Sequence, residues 1–194
     1  MNAAAIRGCG IAVAVGGITW GAAWWLSPSN PAHNSQVEIW ASGIFQLGLL
    51  AVLAVMWATR ATGASRLGRA VLTAEGVAVL LASAWTIPYL VEANRPTTGL
   101  LAVLDPFWPV SMAGLIVVGA LVVGARRWPT PTRYLPLAAS LLLPIDLAVS
   151  WAPDAIRDAV TALYLAVTYG LLGTAISRHA NPLADLAITP TIAR

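Results

Sequence analysis

The chain is built from long apolar stretches separated by short polar or proline-rich breaks. A window of about twenty residues, the length that an α-helix needs to cross the hydrocarbon of a bilayer, finds six such stretches. They are Ile6–Leu26, Ile39–Thr59, Ala70–Val91, Phe107–Ala125, Leu135–Ala152 and Ala159–Ser177. Apolar residues continue through each stretch without the alternation typical of barrel strands, so the pattern predicts an all-α, polytopic bundle of six transmembrane helices.

The composition agrees with a membrane protein. Of 194 residues 58% are hydrophobic and only 10% are charged, whereas a soluble globular domain has about 25% charged residues. The mean hydropathy is +0.75. We therefore expect one compact transmembrane domain over residues 1–178, surrounded by the lipid bilayer, and a loose cytoplasmic tail over residues 179–194.

The arginines indicate the orientation of the bundle. Nine of the eleven lie in alternate breaks and at the two ends: Arg7, Arg60, Arg66, Arg69, Arg126, Arg127, Arg133, Arg178 and Arg194. The intervening loops hold only Arg95 and Arg157. By the positive-inside rule both termini are cytoplasmic, as in an integral protein of a bacterial plasma membrane. The basic charge balance then reflects topology, and no nucleic-acid partner is expected.

Three local features qualify the simple bundle. The apolar run Leu100–Leu104 fits either a short re-entrant or interfacial helix or an early start of the fourth span. Pro144 predicts an irregular backbone in the fifth stretch, because an internal proline removes a helical hydrogen bond. Glycines such as Gly17 and Gly21 predict close helix packing or a contact between copies in a homo-oligomer.

Acidic and aromatic residues are concentrated toward the predicted outer end. An ionisable group in hydrocarbon costs about 2.5–3.5 kcal/mol, so Asp146 and Glu75 are expected to face the bundle interior or a wet cavity. The alternative is a hydrogen bond between helices. Helical spacing places Glu75, Trp85, Tyr89 and Glu92 on one face of the third span.

We expect these faces to enclose a chamber in the outer half of the bundle, with the Asp146 carboxyl and the Trp85 indole facing one hollow. The candidate catalytic acids are Asp146, Glu92, Asp105 and Glu75. The candidate substrate-binding residues are Trp20, Gln46, Trp85, Tyr89, Trp108 and Tyr164. The tryptophans also fit an aromatic belt at the interface. One cysteine and two histidines predict neither a metal site nor a cofactor.

A membrane carboxyl among aromatic rings, here Asp146 and Glu75 or Glu92 with Trp85 and Tyr89, resembles the small integral-membrane terpene cyclases of meroterpenoid and indole-terpenoid pathways. The resemblance implies acid-initiated cyclisation of an isoprenoid, a lipophilic small molecule. Asp146 would then be the general acid, with Glu92 or Asp105 as its hydrogen-bonded partner, and the aromatic rings would stabilise carbocations.

Two other hypotheses use the same residues. Acids and rings also recognise a lipophilic cation, in a transporter or a binding protein. In a non-catalytic membrane subunit the acids would only join helices and the tryptophans would only anchor the chain. A cyclase predicts a dead-end cavity with an acid, a transporter predicts a path from both sides, and a subunit predicts a packed interior.

Overall fold

The structure, a computed structural model, describes residues 1–26, 35–92 and 94–188. These residues form helices and no strands: α1 (Ala3–Leu26), α2 (Gln36–Thr59), α3 (Arg66–Tyr89), α4 (Leu100–Leu104), α5 (Phe107–Ala125), α6 (Leu135–Ser140), α7 (Leu142–Ala148), α8 (Asp154–Arg178) and α9 (Ala180–Ile188). Five helical segments are long and apolar enough to cross a membrane, namely α1, α2, α3, α8 and the segment Leu100–Ala125. The all-helical class is thus confirmed, with five candidate membrane-spanning segments where six were predicted.

Serine side chains define where two of the long helices begin. Ser35 accepts a hydrogen bond from the backbone N–H of Glu38 (3.1 Å), and the Glu38 carboxylate accepts one from the backbone N–H of Ser35 (3.0 Å). Ser65 similarly accepts from the N–H of Gly68 at 3.0 Å. These bonds satisfy N–H groups that the first helical turn leaves without partners.

The arginine-bearing ends of the helices are joined by hydrogen bonds. The buried Trp128 indole, which follows α5, donates to the Thr59 hydroxyl at the end of α2 (2.8 Å). The Ser177 hydroxyl in α8 donates to the carbonyl of Arg7 in α1 (3.2 Å). Four helix ends therefore lie together at one end of the bundle, which we call the arginine end.

The extensive contact between α1 and α8 depends on glycine. A methyl group added at Gly21 would lie 2.5 Å from the carbonyl oxygen of Ala162, and one added at Gly10 would lie 2.6 Å from that of Gly173. One added at Gly17 would collide with Tyr169. The backbones of α1 and α8 touch at these glycines, so the close packing predicted for Gly17 and Gly21 occurs within the chain.

The predicted fifth span, Leu135–Ala152, is not one continuous helix, and this part of the prediction is wrong. Helix α6 ends at Ser140 and α7 begins at Leu142, with Leu141 outside the helical region (φ −77°, ψ 11°). Pro144 accounts for the break, because it has no N–H for the carbonyl of Ser140 and its ring would collide with that carbonyl. The irregularity predicted from Pro144 is therefore confirmed.

The apolar run Leu100–Leu104 is an early start of the fourth span. It forms α4, and the backbone of Asp105 and Pro106 stays in the right-handed helical region before α5 begins at Phe107. Pro106 interrupts the hydrogen-bond ladder, because it has no N–H to donate. The two helices therefore follow one another as the single segment Leu100–Ala125.

The segment after Arg178 was predicted to be loose, and this prediction is wrong for α9. Ala180 and Leu183 are fully buried, and α9 packs against α1 and α2. Between α8 and α9, His179 Nδ1 lies within hydrogen-bond distance of the Thr132 hydroxyl (3.1 Å). Buried apolar side chains thus hold α9 against the arginine end of the bundle.

Candidate functional site

A cavity of about 220 Å³ lies between α1, α5, α7 and α8. We call it the aromatic pocket; its lining residues are Trp20, Trp24, Trp108, Met112, Leu142, Leu143, Asp146 and Thr161. Trp20 and Met112 are buried, whereas Trp24, Trp108 and Leu143 are partly exposed. The pocket therefore has a buried inner wall and an opening at the surface of the bundle.

Packed aromatic rings form the inner wall. The Trp20 ring lies 5.2 Å from that of Trp108 and 6.5 Å from that of Trp24, measured between centroids. Its other neighbour is Phe45, at 4.5 Å, and Phe45 packs edge-on against Tyr169 at 4.8 Å. Phe45 and Tyr169 are almost fully buried, so the packed rings continue from the pocket into the middle of the bundle.

One edge of the pocket is polar and is centred on Asp146. The Arg157 guanidinium donates from Nε to Asp146 Oδ1 (2.9 Å) and from Nη2 to Oδ2 (2.6 Å). The Thr161 hydroxyl donates to Oδ1 at 3.2 Å. The carboxyl group accepts all three bonds, as an ionised carboxylate does, because a guanidinium has only donors.

Local geometry brings these polar groups together. Arg157 and Thr161 are four residues apart in α8 and therefore lie on one face of that helix. Asp146 lies in α7, which starts anew after the break at Leu141. The broken fifth stretch thus brings Asp146 to the face of α8 that carries its partners.

The arrangement combines apolar aromatic faces with one carboxylate that is paired with an arginine. Indole faces attract cations by about 0.5–2 kcal/mol each, with the larger values where water is excluded. The carboxylate places a negative charge at the pocket edge, which the paired Arg157 guanidinium partly offsets. Its side chain is 18% exposed and that of Arg157 is 36% exposed, so solvent screens the arginine more than the acid.

Trp85 and Tyr89 do not line the aromatic pocket. Their rings stack 4.4 Å apart near the end of α3, and the Tyr89 hydroxyl shares a 2.5 Å hydrogen bond with that of Thr97. The common hollow expected for Trp85 and Asp146 is therefore not the cavity that Asp146 lines. Trp85 and Tyr89 form a separate aromatic cluster.

Glu75 and Gln46 also lie elsewhere. The buried Glu75 carboxyl packs on α5, where a methyl group added at Gly114 would collide with it. Its Oε1 has no hydrogen-bond partner within the described ranges. Gln46 donates to the Thr86 hydroxyl at 2.8 Å and so joins α2 to α3.

The remaining predicted residues have other surroundings. Glu92 and Asp105, predicted as hydrogen-bonded partners of Asp146, are exposed, and the carboxyl bonds Arg157 and Thr161 instead. The Tyr164 hydroxyl donates to the carbonyl of Ala138 in α6. Of the predicted residues, the structure brings Asp146, Trp20 and Trp108 together.

The candidate site residues predicted from the sequence did not include Trp24, Thr161 and Arg157. Trp24 is four residues after Trp20, which is a helical spacing that could have linked them. Arg157 is one of two arginines outside the arginine-rich breaks. An isolated arginine at the acidic end of a bundle indicates a carboxylate partner, and this signal could have identified the ion pair.

Comparison of the chain with protein-family models, curated proteins and solved structures finds no match. The geometry of the aromatic pocket therefore carries the functional argument.

Proposed function

We propose that the aromatic pocket binds a lipophilic molecule that carries a positive charge. The observation that carries this proposal is the Asp146 carboxylate, which accepts hydrogen bonds at the edge of a cavity walled by three indoles. The apolar body of the ligand would lie on the rings of Trp20, Trp24 and Trp108, and its cationic group would face Asp146.

Arg157 holds the Asp146 carboxylate in place without blocking it. In the side-on geometry the guanidinium uses one hydrogen bond to each carboxylate oxygen. A carboxylate oxygen can accept two, and Oδ2 accepts one, from Arg157. Arg157 and Thr161 therefore fix the orientation of the Asp146 carboxylate while leaving part of it available to a ligand.

Terpene cyclisation is the second candidate. The same indole walls favour it, because they would stabilise a carbocation as they would an ammonium group. A cyclase of the protonating type also needs an acid that donates a proton to the substrate. Asp146 would have to be released from Arg157 and protonated first, so we place cyclisation after cation binding.

Calorimetric titration of the purified protein in lipid nanodiscs tests the proposal. The probes are benzyltriethylammonium and the uncharged hydrocarbon of the same shape. We expect Trp24→Ala to weaken binding of both probes, and Trp25→Ala, whose side chain is 65% exposed, to change neither. The double variant Asp146→Asn, Arg157→Gln should lose about ten-fold in affinity for the cation alone, which equals about 1.4 kcal/mol.

The titration can contradict the proposal in two ways. Equal affinities of the wild-type protein for the cation and the hydrocarbon would show that Asp146 does not recognise the positive charge. Equal effects of Trp24→Ala and Trp25→Ala on probe binding would show that the probes do not bind in the aromatic pocket. Incubation with prenylated and epoxidised substrates, followed by mass spectrometry, examines the cyclase candidate, for which Asp146→Asn should abolish product in folded protein.

We also propose how the bundle is oriented in the membrane. Helix α8 begins at the end of the bundle opposite the arginines, so α6 and α7 together return the chain to that end and would form the fifth of six crossings. The arginine end would face the cytoplasm. In a Cys9→Ser background, an impermeant maleimide added to whole cells should label Asp154→Cys and not Thr130→Cys; the reverse labelling would contradict this orientation.

A further inference from the structure

A polar cleft of about 260 Å³ lies at the arginine end, between the α2–α3 turn and the end of α9. We call it the arginine cleft; its lining residues are Trp57, Ala58, Arg60, Thr62, Gly63, Arg69, Leu72 and Ala187. None of these residues lines the aromatic pocket. The cleft is therefore a separate feature of the molecule.

The turn between α2 and α3 gives the cleft a fixed shape. Arg60 ends α2 in the left-handed region (φ 52°). The Thr62 hydroxyl donates to the carbonyl of Gly68 at 3.1 Å. A methyl group added at Gly68 would lie 2.6 Å from the carbonyl oxygen of Thr62, so glycine lets the turn close onto α3. Arg60 and Arg69 are thereby held on the two sides of one hollow.

The cleft is positively charged. Within the three described ranges the Arg69 guanidinium forms no ion pair or hydrogen bond. Arg69 lies near the amino-terminal end of α3, and that end of a helix adds a partial positive charge. Guanidinium groups bind phosphate through parallel N–H donors. The chemistry of the cleft is therefore that of a phosphate site.

Part of the wall of the cleft is apolar. The Trp57 indole is 52% exposed and lies in the last turn of the membrane-crossing helix α2. Ala58 and the buried Leu72 continue this wall. Tryptophan prefers the level of the lipid headgroups. A phospholipid would contact both the arginines and these apolar residues, whereas free phosphate would contact the arginines alone.

We propose that the arginine cleft binds the phosphate headgroup of an anionic phospholipid, with an acyl chain lying along Trp57. Basic pockets between transmembrane helices commonly hold anionic headgroups. Arg69 binds the phosphate in the hollow that Arg60 also lines, and the indole contacts the glycerol and the first carbons of the chain. This site acts independently of the aromatic pocket.

Native mass spectrometry of the full chain tests the site. Dioleoylphosphatidylglycerol and dioleoylphosphatidylcholine are titrated in turn, and we expect the protein to bind the first more tightly. Arg69→Gln should raise the Kd for phosphatidylglycerol about five-fold, which equals about 1 kcal/mol for one arginine. Arg66→Gln is the matched control, because Arg66 is exposed in the same turn and does not line the cleft.

Two further measurements keep the test decisive. Trp57→Ala should weaken phosphatidylglycerol binding while leaving the thermal stability of lipid-free protein unchanged. If Arg69→Gln does not fold, Arg69→Lys should still raise the Kd, because an ammonium group lacks the parallel N–H donors of a guanidinium. Equal losses for Arg66→Gln and Arg69→Gln, or no preference over phosphatidylcholine, would overturn the site. Competition by inorganic phosphate at the concentration of the lipid would overturn its assignment to a lipid.

Discussion

The substitution Gly21→Ala probes the backbone contact between α1 and α8, two of the helices that line the aromatic pocket. Gly21 lies between Trp20 and Trp24 in α1, and it faces Ala162, the neighbour of Thr161 in α8. The added methyl carbon would lie 2.5 Å from the carbonyl oxygen of Ala162. An ordinary carbon–oxygen contact is about 3.3–3.6 Å, so α1 and α8 must move apart by about 1 Å.

The cost follows from what must move. The atom in the way belongs to the backbone of a long helix, which cannot rotate aside as a side chain does. Overpacking of this kind costs about 1–3 kcal/mol. A separation of 0.5–1 Å loses about a quarter to a half of each dispersion contact along the interface. Alanine recovers up to about 1 kcal/mol of helix propensity, and we expect a net loss of about 2 kcal/mol.

Thermal unfolding in detergent, followed by tryptophan fluorescence, measures this loss. A cost of about 2 kcal/mol should lower the Tm by about 4–8 °C in a chain of this size. The control is Gly8→Ala in the same helix, where an added methyl group meets nothing within 4 Å, and where the Tm should stay or rise. Equal Tm values for the two variants would refute the backbone contact between α1 and α8.

Three other substitutions examine separate parts of the fold. Leu183→Ala should lower the free energy of unfolding by about 2–5 kcal/mol in a chemical denaturation series, because the side chain is fully buried. Ile188→Ala, at an exposed position, should leave it unchanged. Equal effects of the two substitutions would contradict the packing of α9 against the bundle. Trp128→Phe removes the buried 2.8 Å hydrogen bond to Thr59 and should lower the free energy of unfolding by about 1–3 kcal/mol in the same series. An unchanged free energy of unfolding would show that this hydrogen bond does not stabilise the arginine end. Pro144→Ala restores a backbone donor and should raise the helical circular dichroism signal by joining α6 to α7; an unchanged signal would mean that Pro144 does not cause the break.

The membrane-crossing helices could be predicted because burial in lipid imposes a single rule. Every backbone group in hydrocarbon must be satisfied within its helix, so length and apolar continuity are enough to find the element. The ends of α2 and α5, Thr59 and Ala125, match the predicted boundaries. The same rule identified Pro144 as the irregular point of the fifth stretch.

The site could be predicted only in part. Helical periodicity shows which residues share a face of a helix, but it does not show which other helix or loop that face packs against. Trp85 and Tyr89 do share a face, as predicted, and their rings stack. That face meets Thr97 rather than Asp146. Depth along a helix located Trp20, Trp108 and Asp146 at one level of the bundle, but the rotation of α3 about its axis is set by packing that the sequence pattern does not encode.

The tail was mispredicted for a related reason. Its two prolines and short length are typical of a loose segment, yet Pro182 lies in the first turn of α9, where a proline needs no hydrogen-bond donor. Ala180, Leu183 and Ala184 then fall on one face and are buried. The apolar face could have been recognised, but its docking surface is made by α1 and α2, which no local pattern in the tail reveals.

The break between α6 and α7 explains why one face of α8 carries so much polar chemistry. Breaking a helix frees backbone carbonyls, which in a membrane need donors from the protein itself. The Tyr164 hydroxyl supplies one to Ala138. Thr161 and Arg157 lie about one and two turns earlier on the same face and bond Asp146, just beyond the break. A single face of α8 thus stabilises the irregular backbone and builds the polar edge of the pocket. Loss of the Tyr164 hydroxyl should therefore weaken ligand binding by displacing Asp146, although Tyr164 does not line the cavity.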